Sequence, residues 1–319
     1  MITMPRHLLL IPGLLLAVAS CGDAGDRPPV PGENPAHLVP DPLTVPQAAS
    51  LLGEELWAME DTVGTIAQAD SALAESHDDV ELLIEAGRVR RHFWHYRQAM
   101  ALYSRAAELA PDDWRPYRFR GHRHISLRNF EEGIRDLERA RELAPLNWDV
   151  SYHLALGYFL AGRFDEAADE YLRCLDLADD EEALAADGPD FRSCAANGRD
   201  PESLTAMTEW AVRSLARAGR DDEARTLLEA YPSDLPVEVN VAYHHNLLYG
   251  KGEMAEEELL APGDDAPYRL ETVGFGVANW MLARGDAARA REILERLAAD
   301  PWWPGFGRIA AEAELARMP

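Results

Sequence analysis

Between residues 80 and 181 the order of bulky, small and polar positions repeats every 34 residues. Aromatic residues mark the period at Tyr96, Phe130 and Phe164. Other positions keep the same phase: Gly87 and Gly121; Ala99, Gly133 and Ala167; Tyr103, Leu137 and Tyr171; Ala106, Ala140 and Cys174; Pro111 and Pro145. The pattern predicts two helices of roughly a dozen residues per period, which cross closely at the small residues and end at the prolines.

This register resembles the tetratricopeptide repeat. Gly-Arg-Phe-Asp-Glu-Ala at 162–167 and Asn-Phe-Glu-Glu-Gly at 129–133 are similar to the turn between the two helices of that family. One helix pair cannot bury its own apolar stripe, so the pairs must stack into a solenoid with a concave and a convex face. The resemblance therefore implies an all-α solenoid fold and a non-catalytic role in binding other proteins.

The flanking segments predict further repeats of lower quality. We expect repeats over 44–181, three strong and one degenerate, and the degenerate repeat has helices at 47–60 and 63–75. An insertion follows at 182–200, where Asp187-Gly188 and Asn197-Gly198 are turn signals. Degenerate repeats over 201–319 are expected at 205–231, 237–260 and 271–300. A helix at 306–318 would cap the array with Glu312, Glu314 and Arg317 facing water, and Trp302-Trp303 is either a hydrophobic staple or an exposed contact.

The first residues are typical of export. Arg6 and His7 precede an apolar run at 8–18 that is too short to cross a bilayer. Residues 1–20 therefore predict a signal peptide, and Cys21 makes the cleavage site similar to a bacterial lipobox. That resemblance implies a lipidated Cys21 and an outer-membrane lipoprotein that faces the periplasm; the alternative is an ordinary signal peptide cut near Ser20. Prolines dominate 21–43, which predicts a disordered tether.

Charge is distributed unevenly along the chain. The 319 residues carry a net charge of −25, which argues against nucleic acid as a partner. Between Arg88 and Arg128, however, there are ten arginines and only three acids. The first two strong repeats are therefore the basic part of an acidic protein.

In the family that this pattern resembles, fixed positions of the first helix of each pair line the concave wall. The resemblance places Arg88, Arg91, His92, Arg115, Arg118, His122, Tyr152 and Phe159 there. Because guanidinium groups match carboxylates, we expect this groove to bind an acidic peptide or a C-terminal carboxylate. The expected partners are other envelope proteins or peptides. The alternative is that these arginines pair with acids elsewhere in the chain.

Little else in the sequence points to chemistry. Cys174 and Cys194 are the thiols left after lipidation, and an exported protein favours a disulfide between them, although Cys174 occupies a position where a small core residue would also fit. No catalytic residue, metal site or cofactor is predicted. The alternative function is a ligand-binding or hydrolytic protein with a pocket around the insertion, where Asp187, Asp190 and Arg192 lie. The sequence leaves the oligomeric state open.

Overall fold

The fold is all-α and is known from a computed structural model that describes residues 33–189, 191–260 and 266–319. The predicted signal peptide, Cys21 and residues 21–32 of the predicted tether lie outside these ranges. The helices, in chain order, are α1 (Thr65–Glu75), α2 (Val80–His92), α3 (Tyr96–Leu109), α4 (Trp114–Ser126), α5 (Phe130–Leu143), α6 (Trp148–Leu160), α7 (Phe164–Leu175), α8 (Glu181–Ala185), α9 (Cys194–Gly198), α10 (Pro201–Ala218), α11 (Asp221–Ala230), α12 (Val241–Lys251), α13 (Glu256–Leu259), α14 (Ala266–Ala283), α15 (Ala287–Ala298) and α16 (Phe306–Arg317).

The strict 34-residue period builds three antiparallel helix pairs, α2/α3, α4/α5 and α6/α7. Each first helix starts at an N-cap, and these caps are also 34 residues apart: Asp79, Asp113 and Asn147. Each cap side chain accepts a hydrogen bond from a backbone N–H of the first turn, which satisfies a donor that has no partner inside the helix. The predicted helix pairs and their register are confirmed.

The turn inside each pair contains one residue in the left-handed region. In the strict repeats these are Trp94, Arg128 and Gly162, with φ of 59°, 66° and 82°. Glycines hold the equivalent place later, at 219, 252 and 285, with a period of 33 residues. Left-handed backbone is strained for a residue with a side chain. Trp94 and Arg128 therefore need compensating contacts, which both make with the C-terminal part of the chain.

Small residues set the distance between paired helices, as the pattern predicts. A Cβ atom on Gly121 would lie 2.7 Å from Cγ of Leu137 and 3.0 Å from the carbonyl oxygen of Gly133. Both atoms belong to the partner helix α5, so the two backbones can approach only because position 121 has no side chain.

The first predicted repeat is half wrong. Residues 47–60 do not form a helix; they form a hairpin in which β1 (Ala48–Ala49) pairs antiparallel with β2 (Glu55–Leu56). Gly53, at φ 88°, provides the left-handed residue of the turn, and Ser50 N–H donates to the Glu54 carbonyl across it at 2.7 Å. The second helix of this repeat is present as α1.

Residues 33–43, predicted to be disordered tether, fold onto the first helices. A short 3-10 helix, Pro35–Leu38, is capped by Asn34, whose side-chain amide donates to Asp70 at 2.8 Å. Ala36 is fully buried against Leu73 and Leu83. The proline-rich composition concealed one small apolar anchor, and this part of the tether prediction is wrong.

Most of the C-terminal helix lies inside the molecule, which corrects the prediction that Glu312 and Glu314 face water, while Arg317 is exposed as predicted. Glu312 and Glu314 are 0% and 2% exposed. Glu312 bonds to Arg128 at 2.6 Å and to Arg308 at 3.0 Å, and Glu314 bonds to Arg217 at 2.6 Å. The later helices fold back over α6 instead of extending the array, so α16 becomes part of the core.

Trp303 connects the two ends of the chain. Its indole is 4% exposed and contacts Tyr96 and Trp94, with ring centroids 5.2 and 5.5 Å apart. Its Nε1 donates to the Trp57 carbonyl at 2.9 Å, so Trp303 acts as a staple between the C-terminal segment and the first repeats. Within the part of the chain that is described, no helix has the length and apolar content needed to cross a membrane.

Candidate functional site

The eight residues predicted to line one concave groove separate into two sets. Arg88, Arg91, Arg115 and Arg118 border an open cleft of about 720 Å³ between α2, α4 and the insertion. The other four residues, His92, His122, Tyr152 and Phe159, do not line it.

Tyr152 and Phe159 are core residues, so the predicted aromatic end of the groove is wrong. Phe159 is fully buried and packs edge-on against Trp210 of α10 and Phe275 of α14. Tyr152 is 7% exposed and stacks on Trp148 at 5.0 Å. The helices that fold back occupy the inner face that a peptide would need here.

The two histidines also lie apart from the cleft. His92 is an exposed residue in the last turn of α2, where partial burial and then the charges of Arg91 and Arg88 lower its pKa. The His122 ring lies between His153, at 4.3 Å, and Phe306 of α16, at 5.2 Å. Burial lowers the pKa of His122 well below its usual value, and the charge of the neighbouring Arg123 acts in the same direction.

Most arginines of the basic region pair with acids, as the alternative interpretation expected. In the described structure seven of the ten have a carboxylate within 4.0 Å, and Arg91, Arg97 and Arg123 have none; the seven are Arg88, Arg90, Arg105, Arg115, Arg118, Arg120 and Arg128. The local excess of positive charge is therefore concentrated at a few positions.

The name arginine cleft is used here for the open cleft bordered by Arg88, Arg91, Arg115, Arg118 and Arg192, with Trp114 and Phe119 as its aromatic wall. Three carboxylates also border it, those of Glu81, Glu85 and Asp149. Together with Asp113, which bonds to Arg115 at 2.6 Å, four carboxylates meet five guanidinium groups, which leaves an excess of one positive charge in a protein whose net charge is −25.

Arg91 is the cleft arginine whose charge is least compensated. It is half-buried, no carboxylate of the described chain lies within 4.0 Å, and its Nε has no hydrogen-bond partner. Burial lowers the pKa of Arg91, and the charges of Arg118 and Arg88 also act to lower it. A desolvated guanidinium is costly unless an anion meets it. This position therefore favours a negatively charged ligand.

Arg115 and Arg118 are already held in place by acids. Arg118 donates to Asp149 at 2.6 Å, and Arg115 bonds to Asp113 and to Glu81, at 2.6 and 2.5 Å. The charges of Arg118 and His153, together with their hydrogen bonds, hold the pKa of Asp149 well below its usual range despite burial, which acts to raise it. These pairs fix the walls of the cleft. Arg88 pairs with Glu85 at 3.1 Å on an exposed face, so Arg91 and Arg192 are the cleft arginines without a carboxylate partner in the described structure.

The insertion supplies the far wall of the cleft. Trp148 N–H donates to the Arg192 carbonyl at 2.8 Å, and Cys194 N–H donates to the Leu146 carbonyl at 2.8 Å. A disulfide joins Cys194 to Cys174 of α7, with Cα atoms 5.2 Å apart. The Arg192 guanidinium lies over the Trp148 ring at 5.7 Å. The insertion thus holds Arg192 at the cleft that the arginines of α2 and α4 also line.

The residues weighed for an alternative pocket do not assemble an acid–base set in the described structure. Asp187 accepts the Ser193 N–H at 2.9 Å and so stabilises the insertion itself. Arg192 bonds to Asn197 and Ser203, and Asp190 lies outside the described residues. In the described ranges no group of three or more His, Cys, Asp and Glu side chains could hold a metal ion.

Sequence reasoning missed Trp114 and Phe119, and it assigned Arg192 to the alternative pocket around the insertion instead of to this cleft. The two aromatics follow the N-cap of α4 and lie on the same helix as Arg115 and Arg118. Their positions in the sequence therefore indicated that they could line the same groove. No sequence pattern links Arg192 to the arginines of α2 and α4, because only the tertiary hydrogen bonds of the insertion bring it to the cleft.

Comparison with known proteins finds similarity in the helical arrangement alone. No model of a known protein family matches the chain. Two crystal structures of MamA match 60% of this chain at 16% identity, with TM-scores of 0.42 and 0.41. The matches cover 91% and 86% of the two MamA chains. YrrB, described as a TPR protein with an unusual peptide-binding site, shares 16% identity over 72% of this chain and all of its own, with a TM-score of 0.43. At this level of similarity the matches carry no argument about ligands or partners.

Proposed function

We propose that this chain is a non-catalytic interaction protein that binds an acidic segment or a C-terminal carboxylate of a partner protein in the arginine cleft. The observation that carries the proposal is Arg91, a half-buried guanidinium without a carboxylate partner at the edge of an open cleft. Arg88 lies one helical turn before it on α2, and both can form charge-assisted hydrogen bonds with a carboxylate.

The shape of the cleft supports a peptide more than a small ion. About 720 Å³ is far more than one carboxylate occupies, and Trp114 and Phe119 offer apolar surface beside the charges. Arg192 on the far wall lies over an aromatic ring and has no acidic partner among the described residues. An extended segment with acidic and apolar side chains would meet both walls.

Binding is tested with two fluorescein-labelled decapeptides, one that alternates Glu and Ala and has an amidated C-terminus, and one neutral peptide with a free carboxylate. Arg91→Ala should weaken the preferred peptide at least tenfold, since a charge-assisted hydrogen bond contributes about 1.5–3 kcal/mol. Arg225→Ala is the matched control, because Arg225 is exposed and pairs with Asp222 far from the cleft. Equal affinity of wild type and Arg91→Ala for both peptides would contradict the proposal.

We further propose that the protein is held at the cell envelope, at the periplasmic face of the outer membrane, by a lipid on Cys21. The support is the sequence of residues 6–21, with its basic start, short apolar run and cysteine. In cells given a labelled fatty acid, wild type should carry label and sediment with membranes, whereas Cys21→Ser should carry none and appear in the soluble periplasmic fraction. Unlabelled wild type, or a Cys21→Ser variant that sediments as before, would refute the anchor.

A further inference from the structure

A second surface lies on the hairpin, separate from the arginine cleft. Seven of the nine large hydrophobic side chains that are exposed in the described part of the chain fall between residues 43 and 63. The name hairpin patch is used here for five of them: Val45, Leu52, Trp57, Met59 and Val63. Soluble proteins rarely gather exposed apolar side chains in one place unless a partner covers them.

Alternation along β2 places part of the hairpin patch on one face. Leu56 is buried, whereas Glu55 and Trp57 on either side of it are exposed, and Met59 is exposed two positions after Trp57. Trp57 is 41% exposed although its own carbonyl accepts the Trp303 indole N–H. The backbone at this position is thus fixed while the side chain remains open to a partner.

Charge decides which kind of partner fits. Residues 41–63 contain five acids and no Lys, Arg or His. Glu54 is neutralised by Arg308, and Asp61 accepts backbone N–H groups at the start of α1. Glu55 and Glu60 are exposed, and in the described structure neither has a basic group within 4.0 Å. They flank Trp57 on either side in the sequence.

We infer that the hairpin patch docks a cationic amphipathic segment of a partner protein, in which Lys or Arg side chains alternate with apolar ones. The apolar residues would cover Val45, Met59 and Val63, and the cations would meet Glu55, Glu60 and the face of Trp57. A large aromatic at the centre of such a patch is the usual anchor of a protein interface. A bilayer that contains anionic lipid fits less well, because it would repel the two free carboxylates.

The test uses the full chain and a fluorescein-labelled 14-residue peptide of Leu and Lys at helical spacing. Any acidic protein attracts such a peptide, so the decisive variant leaves charge unchanged: Trp57→Ser/Val63→Ser should weaken binding at least tenfold. The matched control is Val239→Ser, because Val239 is 82% exposed, lies beside Glu238 and is remote in sequence from the patch. It should change affinity less than twofold.

A charge arm keeps the proposal testable if the apolar variant folds poorly. Glu55→Gln/Glu60→Gln should weaken the peptide at least fivefold, whereas Glu257→Gln/Glu258→Gln, which removes the same charge from another exposed site, should not. Equal losses in both pairs, or no loss in the patch variants, would overturn the inference. Two further results would also overturn it. In one, the patch variants bind the peptide as wild type does but no longer bind zwitterionic vesicles. In the other, they bind the peptide as before but no longer self-associate in sedimentation. None of these outcomes bears on the arginine cleft, which is tested with acidic peptides.

Discussion

The strict repeats, α2 to α7, and the later helices, α10 to α16, treat charged residues differently. Exposed ion pairs three residues apart on one helix occur in both regions, such as Glu132 with Arg135 and Asp222 with Arg225. In the later helices acids are buried with their partners: Glu209 bonds to Arg213, and Glu312 joins Arg128 to Arg308. Exposed pairs contribute little to stability, while a buried pair that loses one member is costly.

The turns show the same contrast. Glycine is the left-handed residue in the later repeats, where no atom lies within 4 Å of a Cβ built at positions 219, 252 and 285. The first two strict repeats use Trp94 and Arg128 at this place, and these are the side chains that contact Trp303 and Glu312. Backbone strain is therefore accepted at the two turns where the C-terminal segment docks. Regular repeats stack on neighbours, and the irregular part closes the molecule.

The largest effect is expected from Glu312→Ala, which leaves Arg128 and Arg308 buried without their shared carboxylate. We expect a loss of about 3–5 kcal/mol in the free energy of unfolding, measured by chemical denaturation. Glu292→Ala, which removes an exposed acid from α15, should change stability by no more than about 0.5 kcal/mol. A loss below about 1 kcal/mol for Glu312→Ala would mean that the buried network does not hold the later helices to the strict repeats.

A pH-dependent effect is expected at Glu271, whose carboxylate accepts the Arg308 N–H at 3.0 Å at the start of α16. Burial raises the pKa of Glu271 from 4.5 to about 7, although hydrogen bonds from the backbone of Arg308 and Gly307 act to lower it. The folded state then holds this proton more tightly than the unfolded chain, so its contribution to stability is present below pH 4.5 and is lost as pH rises to 7.

Glu271→Gln should remove that dependence while keeping an acceptor for the helix. As the pH is raised from 5 to 8, wild type should therefore lose stability relative to Glu271→Gln. The change in the difference between their unfolding free energies should be up to about 3 kcal/mol. Comparing the two proteins at each pH cancels the titration of other groups, including His122 and the buried His153. A difference that is constant across this range would contradict the assignment.

A smaller effect is expected from Gly121→Ala in the strict repeats. The new methyl would meet Leu137 and the Gly133 carbonyl, which separates α4 from α5 and costs more than the helix gains from alanine. A net loss of about 1–2 kcal/mol is expected in thermal or chemical unfolding. Gly188→Ala is the control, since no atom lies within 4 Å of a Cβ there. Stabilisation by Gly121→Ala would show that the close crossing is not needed.

The smallest effect is expected from Glu132→Ala, which breaks the exposed pair with Arg135 at 3.2 Å. The change in unfolding free energy should stay within about 0.5 kcal/mol and should shrink further in high salt. A loss comparable to that of Glu312→Ala would remove the distinction between the two regions.

The fold of the strict repeats could be predicted because their contacts are local in sequence. Gly121 meets Leu137 sixteen positions later, and a fixed period of 34 places the same kinds of residue at every crossing. The hairpin at 48–56 could not be predicted by the same rule, since its apolar residues fall at spacings that a helix also uses. Half of the candidate site was predicted, namely the arginines of α2 and α4, and the other half depended on the insertion.

The sequence by itself determined the helix pairs of α2 to α7, their caps and turns, and the excess of arginine in two of them, because each depends on residues within one period. Only the tertiary structure decided that α16 lies inside the molecule, that Phe159 is core and that Arg192 lines the same cleft as Arg91 and Arg88. These features depend on contacts between residues far apart in the chain, such as Arg128 with Glu312, 184 positions apart. Such pairs leave no periodic pattern in the sequence, because a glutamate or arginine that is buried in an ion pair reads the same in the sequence as one on the surface.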